Sequence, residues 1–136
     1  MKDEYVIAKY LRLSSEDGDK AESESITNQR RLIDNYIRKM FGDIKHRTVE
    51  LIDDGYSGTN MDRPGMKKLL IMAETHTVDC IVVKDFSRFA RDYIEVGRYV
   101  EQRFPELQIR FISINDGYDS IEHIGSAGSI DVALKN

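Results

Sequence analysis

The alternation of strand-like and helix-like segments constrains this chain more than any other feature. Apolar runs typical of buried strands alternate with stretches in which apolar residues recur at helical spacing. Connections of this kind return the chain to the same edge of a sheet, so successive strands lie parallel. We therefore predict an α/β domain in which a mostly parallel central sheet of four or five strands has helices on both faces. The predicted strands are residues 5–13, 47–52, 79–84 and 107–114.

Capping residues mark the ends of three predicted helices. Ser25 and Gly42 are suited to cap the first helix at its two ends. Asp62 is predicted to cap a second helix that ends near residue 75, and Asp92 a third that Pro105 stops. Residues 14–24 are predicted to form a polar loop, residues 53–60 a turn-rich loop and residues 116–119 a turn.

Size and composition indicate one folded domain over residues 1–136. No apolar run approaches the length that crosses a membrane, and the first residues do not open a signal peptide, so we expect a cytoplasmic protein. The one cysteine, Cys80, lies in an apolar run and is predicted to be a buried strand residue. The net charge of −4 argues against a nucleic-acid partner unless arginines are concentrated in one place.

Two segments place arginine beside a hydroxyl where a predicted strand ends. Arg12 and Ser14 end the first strand, and Arg88 and Arg91 follow the third. Ligands of parallel sheets bind beyond the carboxyl ends of the strands, so these side chains are predicted to share a site, with Arg63 near the same edge. Guanidinium groups bind phosphate oxygens in a planar fork and offset the charge that repels a weak serine nucleophile. The pattern therefore favours attack on a phosphodiester.

Ordinary interpretations compete with this one. Each arginine, taken singly, is also typical of a solvated strand or helix face, and Ser14 and Ser15 could simply begin a turn. Arg88 and Arg91 are predicted to lie on one side of a helical turn at the start of the third helix. Asp53 and Asp54 are predicted to be a solvated loop pair rather than metal ligands. The three histidines have no zinc-site spacing, and we expect no metal or cofactor.

Five motifs in order resemble the catalytic domain of the serine recombinases. The chain is most similar to the large serine recombinases, which are transposases and integrases of mobile elements. The motifs are Tyr10-Leu11-Arg12-Leu13-Ser14; Ser25-Ile26-x-x-Gln29; Asp54-Gly55-Tyr56-Ser57-Gly58 through Asp62-Arg63-Pro64-Gly65; Val83-Lys84-Asp85-Phe86-Ser87-Arg88-Phe89-Ala90-Arg91-Asp92; and Ile114-Asn115-Asp116-Gly117.

The resemblance implies a role for each matched residue. Ser14 is expected to be the nucleophile and Gln29 a supporting polar contact. Ser87 stands where resolvases and invertases carry an aspartate, which leaves the general acid or base open; Asp85 lies two positions earlier. The groups expected to bind and polarise the scissile phosphate are Arg12, Arg63, Arg88 and Arg91. The reaction implied is DNA strand exchange through a 5′-phosphoserine link, which retains the bond energy and needs no nucleotide cofactor.

The resemblance also implies parts that these residues do not supply. Members of the family carry a long helix for dimer contacts and large DNA-binding domains, so we expect a fragment that binds DNA weakly and forms weak or non-native dimers and tetramers. Two rival functions stay open on the residues alone. One is a small-molecule phosphoesterase that uses Ser14, and the other is a non-catalytic module whose arginines bind an anionic partner.

Overall fold

The computed structural model describes residues 4–13, 25–55 and 61–122 and contains one five-stranded sheet. The strand order is β2-β1-β3-β4-β5; neighbours from β2 to β4 run parallel, and β5 pairs antiparallel with β4. This confirms the predicted mostly parallel sheet. The strands are β1 (Tyr5–Leu13), β2 (His46–Asp54), β3 (Cys80–Val83), β4 (Arg110–Ser113) and β5 (Tyr118–Asp119).

Helices cover both faces of the sheet, as predicted. They are α1 (Ile26–Phe41), α2 (Pro64–Glu74), α3 (Phe86–Phe89), α4 (Tyr93–Gly97), a π-helical segment (Arg98–Arg103), α5 (Phe104–Glu106) and a 3₁₀ turn (Ser120–Glu122). None of the helices in the described residues is long and apolar enough to span a membrane.

Alternate side chains of β1 supply the two halves of the core. Tyr10 belongs to the cluster that packs against α2, α4 and α5, whereas Ile7 and Leu11 pack against the apolar face of α1. Both faces of β1 are buried because helices cover the sheet on both sides. The same alternation places Arg12 on the Tyr10 side, so the strand itself decides on which face this arginine lies.

The first strand and first helix have the predicted bounds. The Asn28 N–H donates to Ser25 Oγ (3.1 Å), which confirms the N-cap. Gly42 follows the helix in a right-handed conformation, with φ of −58°. A Cβ at this glycine would lie 2.6 Å from the Arg38 carbonyl oxygen, so the glycine relieves crowding. Cys80 is fully buried in β3, also as predicted.

The start of α2 differs from the prediction. β2 runs to Asp54, so the expected loop pair, Asp53 and Asp54, belongs to the strand. Asp62 does not cap α2; it forms an exposed ion pair with Lys67 (2.5 Å). The helix begins one residue later than expected, with Arg63 at the N-cap position, and a carboxylate from β2 accepts its first N–H groups.

The segment after β3 also differs. A separate short helix, α3, precedes the predicted third helix and carries Arg88, while Arg91 lies between α3 and α4. The prediction that both arginines share one turn is therefore wrong. Asp92 does cap α4, since its Oδ1 accepts the Ile94 N–H (2.8 Å). Pro105 does not stop the helical path, because it lies in the first turn of α5, where no N–H is required.

The last strands are shorter and more numerous than the pattern suggested. β4 begins at Arg110, because the chain turns at Gln108, which has a φ of 59°. The predicted turn at 116–119 is only partly correct, since Tyr118 and Asp119 form β5. The Asp119 carboxylate pairs with Arg110 (2.5 Å) and so fastens this edge strand to β4.

Candidate active site

One glutamine fixes the end of β1 to α1. The Arg12 N–H donates to Gln29 Oε1 (3.2 Å), and Gln29 Nε2 donates to the Arg12 carbonyl (2.9 Å). Gln29 is fully buried on α1, so these two bonds pair its side-chain amide with the strand backbone. The structure therefore places Gln29 where it orients the backbone that leads into residue 14.

The two arginine segments singled out from the sequence are in direct contact. The fully buried Arg12 side chain donates from Nη2 to the Ser87 carbonyl (2.7 Å) and from Nε to the Arg88 carbonyl (3.2 Å). Arg88 Nη1 donates in return to the Arg12 carbonyl (3.0 Å). The carboxyl end of β1 and helix α3 are thus joined by reciprocal hydrogen bonds across 76 positions of sequence.

Arg63 reaches the same place from the start of α2. Its side chain is 1% exposed, and Nη2 donates to the Phe89 carbonyl (2.6 Å). Its Nη1 donates to the Tyr10 hydroxyl (2.7 Å) and to the Arg88 carbonyl (3.3 Å). Two guanidinium groups, those of Arg12 and Arg63, therefore bind the carbonyl groups of α3, and the Arg88 guanidinium binds the end of β1.

The site carries an excess of positive charge. Burial away from water, followed by the charges of Arg63, Arg91 and Arg88, lowers the pKa of Arg12 from its usual 12.5 to about 10. Arg12 still stays charged at neutral pH. Arg91 is exposed outside the buried cluster but close enough to contribute to this shift. Such a site favours an anion that offers several oxygens, and phosphate is one.

The predicted nucleophile follows this cluster in the chain. Ser14 comes directly after Leu13, the last residue of β1, and both Ser14 and Ser15 lie outside the described residues. Residues 56–60 of the third motif also lie outside them. Over the described ranges, no group of three or more His, Cys, Asp or Glu side chains is placed to hold a metal ion.

Comparison with known families identifies the fold and the chemistry together. The family model for the resolvase N-terminal domain matches residues 7–128, which include all five motifs. The chain belongs to the resolvase family. It is the catalytic domain of a site-specific DNA recombinase, an enzyme of a family known to act through a phosphoserine intermediate. A search of curated proteins finds no match.

Solved structures agree with this assignment. The recombinase is similar to the N-terminal catalytic domain of TP901-1 integrase, with 26% identity, a TM-score of 0.73 and coverage of 95% of this chain and 89% of the other. It is also similar to the C-terminal catalytic domain of ISC1926 TnpA, an IS607-like serine recombinase. The identity is 27% and the TM-score 0.62, and the match covers 80% of this chain and 66% of the other. A resolvase family site-specific recombinase from Streptococcus pneumoniae shares the fold, with 21% identity, a TM-score of 0.68 and coverage of 96% of this chain and 84% of the other.

Ser87, which stands where resolvases and invertases carry an aspartate, is hydrogen-bonded to a neighbouring aspartate. Ser87 Oγ donates a short hydrogen bond to Asp85 Oδ1, so a carboxylate lies beside the hydroxyl. The second oxygen, Asp85 Oδ2, lies 3.9 Å from Arg88 Nε. Asp85 thus brings a negative charge next to Arg88, although the residue two positions later is a serine.

Sequence reasoning missed Tyr10 and Asp53 as parts of the site. Asp53 is 1% exposed, and its Oδ2 accepts a hydrogen bond from the Tyr10 hydroxyl (2.6 Å), so the expectation of a solvated loop pair is wrong. The register of β1 and β2 pairs Arg12 with Asp53. Aligning the carboxyl ends of the two strands would have brought this aspartate to the site.

Asp116, from the fifth motif, supports α3 from the opposite side. Its Oδ2 accepts the Phe86 N–H (2.8 Å) and the Ser113 hydroxyl (2.6 Å). The Phe86 N–H lies in the first turn of α3, where backbone donors have no partner within the helix and a nearby carboxylate is favourable. Asp116 therefore helps to place the helix whose carbonyl groups bind Arg12 and Arg63.

Proposed function

We propose that Ser14 is the nucleophile of this recombinase and that Arg12, Arg63, Arg88 and Arg91 bind the scissile phosphate. The convergence of three buried guanidinium groups at the end of β1, immediately before Ser14, is the observation that carries the proposal. A phosphodiester repels nucleophiles and gains charge in the transition state, and preorganised guanidinium groups oppose both effects.

The proposed reaction is two transesterifications. The Ser14 oxygen bonds to phosphorus while the bond to the 3′ oxygen breaks, and the proton lost by serine is balanced by the proton gained by the leaving hydroxyl. The product is a 5′-phosphoserine and a free 3′-hydroxyl. After exchange of the ends, a 3′-hydroxyl attacks the phosphoserine and releases Ser14. Each step exchanges one ester for another, so no external energy source is required.

Self-association follows from the same chemistry as a further proposal. Exchange between two duplexes breaks four strands, and each chain supplies one Ser14. Four subunits are therefore needed, assembled from dimers. We propose that a long helix and DNA-binding domains in a longer protein provide these contacts and sequence recognition, which fits the net charge of −4 here. We also propose that the enzyme works in the cytoplasm and moves a mobile element.

Covalent capture tests the assignment of the nucleophile. The full-length protein is incubated with a duplex that carries the ends of its element and a nick near the crossover, so that the 3′ fragment diffuses away and the adduct persists. We expect an adduct with the unaltered protein and with Ser15→Ala, and none with Ser14→Ala. An adduct that persists in Ser14→Ala, or disappears in Ser15→Ala alone, would reassign the nucleophile. Total absence of adduct with the unaltered protein would contradict the proposal that Ser14 forms the covalent link.

A further inference from the structure

The arginine cluster consists of cations that can donate hydrogen bonds but cannot accept a proton. A guanidinium group has five N–H donors and no acceptor, and it stays charged at neutral pH. Arg12 keeps its charge there even with its pKa lowered to about 10. A serine hydroxyl that attacks phosphorus must lose its proton, so a site built on these groups also needs an oxygen that accepts one.

Asp85 supplies a carboxylate that its own helix does not use. It holds the N-cap position of α3, where an aspartate side chain ordinarily accepts a hydrogen bond from an N–H of the first turn. Within α3, all of whose residues the structure describes, it makes no such bond. Asp116 accepts the Phe86 N–H, and the Arg88 N–H donates to the backbone carbonyl of Asp85. The capping role therefore falls to another residue, which leaves the Asp85 carboxylate for contacts with side chains.

The Asp85 carboxylate contacts a hydroxyl and an arginine of the site. Ser87 Oγ donates to Asp85 Oδ1 (2.5 Å), and Asp85 Oδ2 lies 3.9 Å from Arg88 Nε. The Ser87 carbonyl accepts from Arg12 Nη2 (2.7 Å), so the residue that carries this hydroxyl is itself held by the cluster. Because the Ser87 proton is directed at Asp85, what Ser87 Oγ offers to a further group is its lone pairs.

Two other carboxylates near the cluster hold backbone instead. Asp53 is 1% exposed and accepts the first N–H groups of α2. Asp116 Oδ2 accepts the Phe86 N–H and the Ser113 hydroxyl. The Asp85 side chain is 26% exposed, and Ser87 is also partly exposed. The pair of Asp85 and Ser87 therefore combines an acceptor, contact with the arginines and access from solvent.

We propose that Ser87 and Asp85 form the proton acceptor that activates the attacking hydroxyl of this recombinase. The attacking hydroxyl passes its proton to Ser87 Oγ while the Ser87 proton moves to Asp85 Oδ1. The attacking oxygen bonds to phosphorus as the bond to the 3′ oxygen breaks, and a solvent water protonates the leaving oxygen. The hydroxide so formed takes the proton from Asp85 and restores the carboxylate. This inference rests on the proposed function, in which the attacking hydroxyl belongs to Ser14.

Rescue by a relocated carboxylate separates proton transfer from folding. Asp85→Asn preserves the size of the side chain but removes the proton acceptor, and Ser87→Ala removes the hydroxyl that leads to it. Ser87→Asp added to Asp85→Asn brings a carboxylate back to the position of the hydroxyl, whereas Ser87→Asn in the same background brings only an amide. Asp34→Asn is the matched control, because Asp34 is also a partly exposed carboxylate but pairs with Lys9 on the α1 side of the sheet.

Single-turnover adduct formation on the nicked duplex and thermal unfolding are measured on each full-length variant. We expect Asp85→Asn and Ser87→Ala each to slow adduct formation by about 100-fold, the lower end of what a general base contributes. The double variant is no slower than the slower single variant, because both changes break one proton path. Asp34→Asn leaves the rate unchanged.

The rescue decides between proton transfer and a structural role. In the Asp85→Asn background, we expect Ser87→Asp to restore the rate by about 10-fold or more and Ser87→Asn to restore none of it. A carboxylate at position 87 that restores no more than the amide would overturn the proposal. Rates that fall in step with the unfolding temperature in every variant, including Asp34→Asn, would overturn it as well.

A sulfur leaving group shows which oxygen the pair serves. In a duplex whose scissile 3′ oxygen is replaced by sulfur, the leaving thiolate needs no proton, whereas the attacking hydroxyl must still lose one. We expect the fold-loss caused by Asp85→Asn to be the same on the oxygen and sulfur duplexes. A loss that vanishes on the sulfur duplex would assign the pair to the leaving oxygen and so refute its role at the attacking hydroxyl.

The nucleophile and the proton acceptor can fail separately in these measurements. Absence of adduct in Ser14→Ala together with an unaltered rate in Asp85→Asn would uphold the nucleophile and refute the acceptor. An adduct that persists in Ser14→Ala, together with a slow Asp85→Asn variant that Ser87→Asp rescues, would uphold the acceptor and refute the assignment of the nucleophile.

Discussion

The helices that present Arg63 and Arg88 are capped in the same way by different parts of the chain. In both α2 and α3 the N-cap residue makes no capping hydrogen bond with its own side chain. An aspartate from elsewhere accepts the first N–H groups instead: Asp53 from β2 for α2, and Asp116 from the turn after β4 for α3. Each helix is therefore tied at its start to the end of a strand.

The two junctions differ in what else the aspartate binds. The Oδ2 of Asp53 is shared with Tyr10 and leads to Arg63, whereas the Oδ2 of Asp116 is shared with Ser113 and leads back to β4. Arg88 is held instead by the Arg12 carbonyl. The Arg63 guanidinium thus binds a side-chain hydroxyl as well as backbone carbonyls, whereas the Arg88 guanidinium binds strand backbone. Substitution of a polar side chain should therefore affect Arg63 more than Arg88.

The largest effect should come from the guanidinium groups themselves. We expect Arg63→Lys and Arg88→Lys each to lower single-turnover cleavage by about 100-fold or more, because an ammonium lacks the planar fork with which guanidinium binds phosphate and backbone carbonyls together. Arg103→Lys, whose arginine pairs on the surface with Glu74 and Glu106, is the control. Cleavage at the unaltered rate by either lysine variant would remove that arginine from the site.

The next largest effect should be the loss of stability on substituting Asp116, which tests whether its junction is independent of the junction at Asp53. We expect Asp116→Asn to lower the free energy of unfolding by about 1–3 kcal/mol, since two part-buried donors lose a charged acceptor. Combined with Tyr10→Phe, the losses should add, because the two residues share no partner. Denaturant unfolding of the two single variants and the double variant measures this. If the losses of unfolding free energy in the two single variants do not add in the double variant, the junctions at Asp53 and Asp116 form one network and are not independent.

Gly65→Ala should sharpen the comparison by crowding one junction alone. We expect it to lower the free energy of unfolding by about 1 kcal/mol, because the new Cβ displaces a carboxylate that three hydrogen bonds hold. Gly97→Ala should instead be neutral or stabilise by up to about 1 kcal/mol, since its nearest neighbour is the tip of Glu101 at 3.5 Å and alanine favours helix. Equal effects of the two substitutions in denaturant unfolding would contradict the tight fit at Asp53.

At neutral pH the smallest effect should come from the Tyr10 phenol, whose ionisation affects stability only in alkaline solution. The pKa of Tyr10 is raised in the folded state, so above its unfolded value of about 10 only the unfolded chain loses this proton. Stability then falls as pH rises, by up to about 1.4 kcal/mol per pH unit from this group. Tyr10→Phe should make the fall shallower, and Tyr93→Phe, which removes an exposed hydroxyl, should not. Identical slopes in the unaltered protein and Tyr10→Phe would mean that the phenol ionises freely.

Local patterns predicted the elements whose determinants are local. The bounds of β1 and α1 follow from apolar periodicity and the Ser25 cap, all within one segment of chain. The short helix α3 was missed because four residues after an apolar strand have no period to detect. The helical path past Pro105 was missed because proline stops a helix interior but fits a first turn.

The site was predictable only as far as its residues carried motifs. Arg12, Arg63 and Arg88 were predicted to meet because the carboxyl ends of parallel strands share an edge. The partners of Asp53 are Tyr10, 43 positions away, and the backbone of Gly65 and Met66. No local pattern distinguishes such an aspartate from its exposed neighbour Asp54, because only strand register buries one of the two.

The strand order also sets when the sheet can close as the chain leaves the ribosome. β1 pairs with β2 on one side and with β3 on the other, and all four residues of β3 are buried. Until β3 emerges, β1 exposes an apolar open edge, which is the kind of surface that pairs with other nascent chains. While the segment between Asp54 and Cys80 is translated, β1 therefore keeps one edge open to misassembly even after β2 has paired with the other. Rapid elongation through α2, or a holdase bound to β1, would protect the domain during that interval.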